Sequence, residues 1–365
     1  MIKGKRSLLG NFLYRSGLSH GMRSLGQKSL VIFNYHRIRE QASLEHHPFD
    51  EGVFGPTAKE FRDHMKWLKG HCDMISEQDL LDHVQGKINL PRSSVMITFD
   101  DGYRDNLEIA LPILNEFNIP AIFFIPTQAI EEREVGWWDK IAYVLKKSEK
   151  KNFVLRDRPF DLQLGKKHAI RELQEWMRTH SAKSTVSLLK ELSEACGVDL
   201  PTSFHCDSEI MTWDQIREAQ KKGITIGSHT HSHRVLSTLT LAEQFEEFHV
   251  SKKILEAKLK TPVRSVAYPV GGHDDWHLET GEIAERCGYQ LGFSFQTGAN
   301  RLHRVNRLEI ARVPAEDTIP MTCAAVSFPS VFARSRTGER PTRSLFLSLF
   351  AAAKLANSTQ PTSIK

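Results

Sequence analysis

Val95-Met96-Ile97-Thr98-Phe99-Asp100-Asp101-Gly102-Tyr103 runs from an apolar stretch straight into two adjacent carboxylates. A short apolar run that ends in a glycine turn reads as a buried strand of a parallel sheet. In such sheets chemistry gathers at the C-terminal strand ends. A second stretch has the same grammar. Ile224-Thr225-Ile226-Gly227 is followed by His229-Thr230-His231-Ser232-His233, with imidazoles at i, i+2 and i+4. One carboxylate and two histidines are a common ligand set of hydrolytic zinc sites, which keep a position open for water. A second carboxylate beside the ligand is placed to take that water's proton.

Outward from these stretches the chain alternates strand and helix. Ser29 to Phe33 is a β-branched run ending in Asn34-Tyr35-His36-Arg37. Thr57-Ala58-Lys59-Glu60 is a capping-box pattern, and Ser76 caps a further helix. Strand Ser94–Phe99, helix Asn106–Phe117 and strand Ala121–Ile125 follow. Later come helix Trp213–Lys222, strand Ile224–Gly227, helix Leu241–Leu259, strand Ser265–Tyr268, helix Leu278–Cys287 and strand Leu291–Phe295. Repeated β–α units imply a parallel sheet clothed in helices. Residues 128–208 break the rhythm. They carry Trp137-Trp138-Asp139 and helical patterns over Trp138–Lys147 and Lys166–Cys196, and read as an insertion beside the site.

The chain has 365 residues, 40% hydrophobic and 25% charged, with a formal net charge of +5. This is ordinary for a globular protein, and an α/β barrel reaches this length as one domain. The mild charge and the lack of a recognition motif speak against nucleic acid. Basic residues concentrate at the ends. Residues 1–30 hold Lys3, Lys5, Arg6, Arg15, Arg23 and Lys28 and no acid, and the tail from 331 holds Arg334, Arg336, Arg340, Arg343, Lys354 and Lys365 against Glu339. Such ends suit peripheral contact with anionic lipid or anionic glycan, with plainly solvated termini as the competing reading. Five scattered cysteines with no C-x-x-C pair fit a reducing compartment. The run Leu8 to Leu13 is interrupted by Gly10 and Asn11, so it is no signal-peptide core. The expectation is a cytoplasmic protein, at most peripheral on the inner membrane face. Three segments are expected: a basic stretch 1–28, a main domain 29–330 with its insertion, and a basic tail 331–365 with a terminal helix over Leu345–Ala356.

The motifs resemble those of NodB-type polysaccharide deacetylases, carbohydrate esterase family 4. That family carries T-F-D-D-G, H-[ST]-x-x-H and a later Pro-containing motif. Here they are Thr98 to Gly102, His229-Thr230-x-x-His233 and Ala267-Tyr268-Pro269-Val270-Gly271. The resemblance covers about residues 29–315 and implies a distorted (β/α) barrel. It implies Asp100 as general base and Asp101, His229 and His233 as metal ligands. A divalent ion, Zn²⁺ first, suits that donor set, and Co²⁺ also fits it. The backbone N–H of Val270 would meet the oxyanion. Tyr103, Trp138 and Tyr268 are candidate sugar-binding aromatics, with core packing as the competing reading. His231, two residues from each ligand, is expected to point elsewhere.

Two departures from the family pattern stand out. No Arg sits just before Pro269, so Arg312 in Glu309-Ile310-Ala311-Arg312-Val313 is the candidate to tether the base. No Leu-x-x-His motif follows Phe295, and His303 matches it poorly. His36 ends the first strand instead, similar to the permuted poly-N-acetylglucosamine deacetylases, whose catalytic histidine lies upstream of T-F-D-D-G. Imidazoles exchange protons near neutral pH, so His36 is the candidate acid. The implied activity is hydrolysis of N-acetyl groups on amino sugars of an exopolysaccharide, a cell-envelope glycan or a lipid-linked precursor. The alternatives are an O-acetyl esterase or other small-amide hydrolase on this scaffold, and a silent carbohydrate-binding protein. A binding module has no need of Asp100, which weighs against the last.

Overall fold

The computed structural model describes residues 3–16, 28–40, 44, 46–180, 185–298, 300–315 and 318–328. The basic tail from 331, with the stretch Leu345–Ala356, lies outside the described residues, as do residues 17–27.

Besides the two-residue strand Asp73–Met74, which pairs with Ser94 and Val95, the central sheet contains strands β1 (Ser29–Tyr35), β2 (Ser93–Phe99), β3 (Ala121–Ile125), β4 (Thr225–Ser228), β5 (Ser265–Ala267), β6 (Leu291–Phe293), β7 (Asn300–Arg301) and β8 (Val313–Pro314). Their spatial order is β6-β5-β4-β3-β2-β1-β7. From β1 to β6 each strand lies beside its predecessor and parallel to it, as helical crossovers between consecutive strands require. Only β7 runs antiparallel to its neighbour. The gap between β6 and β1 is bridged by one segment. Ile310 bridges Phe293, and three residues on β8 pairs with Phe33 and Asn34 of β1. The sheet thereby curls into the expected distorted barrel.

Side-chain parity explains the two cores. Leu30, Ile32, Met96, Ile122, Phe124, Leu291, Phe293 and Ile310 form the inner cluster. Val31, Phe33, Tyr35, Val95, Ile97, Phe99, Phe123 and Ile125 point outward into the helical layer. Both faces are buried, so the strands read as continuous apolar runs rather than alternating ones. At the C-terminal ends the inner parity continues through Asn34, Thr98 and Asp100, where polar groups replace the apolar filling.

Helix Ala58–His71 opens with the Thr57/Glu60 capping box, and helix Glu77–Val84 with a Ser76/Asp79 box. The expected helix from Asn106 begins instead as a π-turn over Asn106–Ala110 and becomes α-helical over Leu111–Glu116. Pro112 has no N–H to donate to Glu108, which removes one i→i−4 bond at that joint. Helix Lys3–Arg15 packs on helix Ile319–Ser327, with Leu13 in the core. No described helix is long and apolar enough to cross a membrane.

The insertion differs from its expected outline. The pattern Lys166–Cys196 is two helices, Lys166–His180 and Thr185–Cys196. Between them and helix Trp137–Lys147 lies an unforeseen hairpin, Asn152–Leu155 with Arg158–Asp161. Its turn residues Arg156 and Asp157 both have positive φ, +46° and +64°, as a two-residue hairpin turn demands.

Candidate active site

The first motif leaves β2 through a reversal. Asp101 has φ +74° and Gly102 φ +70°. This turns the two neighbouring carboxylates to different tasks at one spot. Asp100 keeps the inner parity of β2. Its Oδ1 accepts from Arg312 Nη1 at 2.7 Å and its Oδ2 from Asn34 Nδ2 at 2.9 Å. Arg312 reaches it from the barrel-closing segment, one residue before β8. The guanidinium is 1% exposed, lies beside the Phe124 and Phe295 rings, and also donates to Ser294 O and Asn34 Oδ1. Burial raises the Asp100 carboxyl, and the charges of Arg312 and His229 more than reverse it, so the group stays ionised.

Asp101 faces the histidines. Its Oδ1 lies 3.3 Å from His233 Nε2 and 3.5 Å from His229 Nε2, and His229 Nε2 lies 3.8 Å from Asp100 Oδ2. One donor atom from each of Asp101, His229 and His233 falls within a 4.8 Å cluster. Asp101 Oδ1 is buried with no hydrogen-bond partner. An orphaned carboxylate oxygen is costly, and a cation shared with the two imidazoles would satisfy it. His229 Nδ1 bonds Ala267 O at 2.9 Å, so the proton on Nδ1 donates there and Nε2 is left as the free lone pair. His233 is drawn below its ordinary value by burial, despite Asp101 beside it. Burial also lowers His229, but Asp100 and Asp101 outweigh it and raise that group. The residues fit a divalent ion.

His231 is turned away. Its Nδ1 bonds Thr127 Oγ1 at 2.9 Å, and its amide donates to Glu247, which also takes the Ser232 amide and holds the loop. Four of the nine non-glycine residues with positive φ among the described residues sit here: Asp101, Thr230, His233 and Val270. Strain of that kind persists only where the surroundings over-determine it. Val270, β-branched at φ +59°, is the middle of a tight turn in which Gly271 N–H bonds Pro269 O at 2.6 Å. Gly271 is at φ +70°, and a Cβ there would meet Phe295 N at 2.7 Å, so no other residue fits.

His36, Asp100, Asp101, His229, His233, Val270 and Phe295 share one cavity of about 570 Å³. The His36 ring meets the Phe295 edge at 6.2 Å, and Asn106 fixes its carbonyl. His303 and His273 do not line the cavity. Trp138 does, with its indole 4.4 Å from the His233 ring.

Tyr103 and Tyr268 need correction as sugar-facing residues. The turn at Asp101–Gly102 sends Tyr103 away from the cavity. It is 1% exposed, stacks on Arg37, donates to Asp139 Oδ2 at 2.7 Å and accepts from Trp138 Nε1. Tyr268 is fully buried, with its hydroxyl spent on Leu308 O. Both are packing residues. Sequence reading missed Asn34, although its parity with Leu30 and Ile32 marks it as a polar side chain on the inner face. It also missed the pairing of Arg37, next to His36, with Asp105 at 2.7 Å and Glu209 at 2.6 Å.

Known proteins of similar sequence and shape place this geometry. The putative polysaccharide deacetylase YxkH of Bacillus subtilis is 26% identical, over 74% of this chain and 66% of its own length. The poly-β-1,6-N-acetyl-D-glucosamine N-deacetylase of Staphylococcus epidermidis is 27% identical, over 35% of this chain and 54% of its own. The chain thus spans at most about two thirds of these relatives. Among solved structures, the Streptococcus pyogenes deacetylase PplD matches with TM-score 0.55 at 17% identity, over 83% of this chain and 99% of that one. IcaB from Ammonifex degensii matches with TM-score 0.53 at 19% identity, over 85% and 98%. These share the fold. The polysaccharide deacetylase family model matches residues 87–154 and 159–292, more than half of the sequence and both histidine and aspartate motifs. The chain belongs to the polysaccharide deacetylase family.

Proposed function

We propose that this chain is a metal-dependent hydrolase that removes N-acetyl groups from amino sugars of a glycan or its precursor. The observation that carries this reading is the buried, unpartnered Asp101 Oδ1 facing two imidazole Nε2 atoms, with an Arg-tethered carboxylate alongside. Asp101, His229 and His233 would hold a divalent ion, Zn²⁺ by donor chemistry. Such an ion acidifies water and polarises a carbonyl.

The chain's own groups supply the rest. Asp100, which lines the cavity, takes the proton of the attacking water, and Arg312 and Asn34 hold its two oxygens. The Val270 amide donates to the developing oxyanion from a turn that costs no reorganisation during reaction. His36, at the end of the strand beside the one that carries Asp100, gives a proton to the departing amine. Trp138 offers an apolar face beside His233 for the sugar ring.

The test is acetate release from a panel of N-acetylated amino sugars, with and without chelator, beside the metal content of the purified protein. Release that chelator abolishes and metal restores supports the reading. Undiminished metal in the His229→Ala, His233→Ala double variant overturns the ligand set.

A further inference from the structure

We infer that the cavity is a well walled on all sides and open at its mouth that receives a sugar end-on, so that this chain deacetylates terminal or singly carried amino sugars and spares the interior of a polymer. The inference rests on the deacetylase reading and narrows its substrate class.

The cavity's wall is continuous. The insertion helix Lys166–His180 forms one side. At its start Lys167 pairs with Glu51 at 2.7 Å, and Gln174 Nε2 donates to Asp50 Oδ2 at 2.9 Å, which joins the helix to the 50–53 loop. In its last turn Arg178 pairs with Asp275, in the loop that follows Val270. That loop is tied to Phe295, which follows β6, by the Phe295 amide donating to Gly271 O at 2.7 Å. Phe295 meets His36 edge-on. Arg37, the next residue, pairs in a short parallel ladder with Phe54, next to Val53. The circuit has returned to its start, and every junction is a hydrogen bond, an ion pair, a ladder pair or a ring contact.

An interior residue of a polymer needs two openings at the level of the reacting groups, one for each direction of the chain. A wall joined all round by these contacts would leave one, the mouth. The reacting groups lie at the floor: Asp100 is 3% exposed, His229 2% and Asp101 6%. A volume of about 570 Å³ is in the range that holds one small ligand. The Arg178–Asp275 pair matters most. Asp275 is a buried carboxyl also anchored by the Gly272 amide, so the latch has one fixed side.

The experiment uses the full chain with metal. Substrates are the methyl glycoside of N-acetylglucosamine and its β-linked oligomers, labelled at the reducing end, with product positions read by tandem mass spectrometry. The expected result is acetyl loss from the glycoside and from one terminal residue of each oligomer, with interior acetyls retained. Interior loss at a rate comparable to terminal loss overturns the well. No release from any member, the simple glycoside included, overturns the deacetylase reading itself and is distinguishable on that ground. Arg178→Ala is expected to raise interior relative to terminal loss at least tenfold, and Arg178→Lys to keep the parent pattern. An unchanged ratio in a folded Arg178→Ala variant overturns the latch. If that variant fails to fold, the parent chain's positional pattern still decides.

Discussion

Asp100 and Asp101 are adjacent in sequence, yet one is tethered by a guanidinium and the other faces two imidazoles. The division comes from backbone: strand parity carries Asp100 inward, and the positive φ of Asp101 swings the next carboxylate to the histidines. Asp100→Asn should therefore keep the metal and lose acetate release by about two orders of magnitude or more, the scale of general-base catalysis. Loss of metal from that variant would make Asp100 a ligand instead. Arg312→Gln removes the charge that keeps Asp100 ionised. The carboxyl of the variant should titrate higher, so the acidic limb of its kcat/KM profile moves to higher pH. Breaking such a buried pair costs about 3–5 kcal/mol, so Arg312→Lys is the companion variant, with a smaller shift in the same direction. An unmoved acidic limb in both would separate Arg312 from the base. His36→Ala tests the acid. It should lose most amide hydrolysis but little activity on an aryl acetate, because a phenolate leaves without protonation. Equal losses on both would point to a structural or oxyanion role.

At the scale of elements, the two motif strands and their spacing were legible because buried parallel strands and ligand spacing leave strong local patterns. The wall around the site was not. The hairpin in the insertion turns on Arg156 and Asp157, neither of which advertises positive φ as glycine or asparagine would. Tyr103 was misjudged because the reversal at Asp101–Gly102, not residue type, sets its direction. Arg312 was legible only as a stray arginine near a strand end, since its partner is 212 positions away. Asn34 carried a signal, its parity with Leu30 and Ile32, that only a known strand register makes readable. The joint between insertion and barrel has its own titration. Asp139 is fully buried, and burial, opposed by Arg37 and the Tyr103 hydroxyl, pushes its carboxyl up to about 7. Its folded value lies above its unfolded one, so the protonated form favours the fold and stability falls as pH rises from about 4 towards 7. Asp139→Asn should flatten that slope in the melting temperature over this window. A variant that keeps the parent's slope would assign it to other groups.

Across the whole molecule, metal binding and protonation compete at one place. The carboxylates raise His229, and an ion needs its Nε2 free. Metal affinity should therefore fall as pH drops through the raised His229 value, with a proton released on binding. Isothermal titration in buffers of different ionisation enthalpy measures that proton. Zero release across the range would contradict the assignment of Nε2.

The bridge between β6 and β1 has a consequence in time. Translation delivers Asp100 long before Arg312, the residue that neutralises it. Until residues 310–314 are laid between the two strands, a buried base without its counter-ion is too expensive to form, and the emerging chain must leave that strand end wet. Competence for chemistry and completion of the barrel are then a single event, reached only once residues 310–314 have emerged. A ribosome-stalled chain with residue 305 last to emerge should fold its first strands and release no acetate. One stalled with residue 328 clear of the exit tunnel should be active.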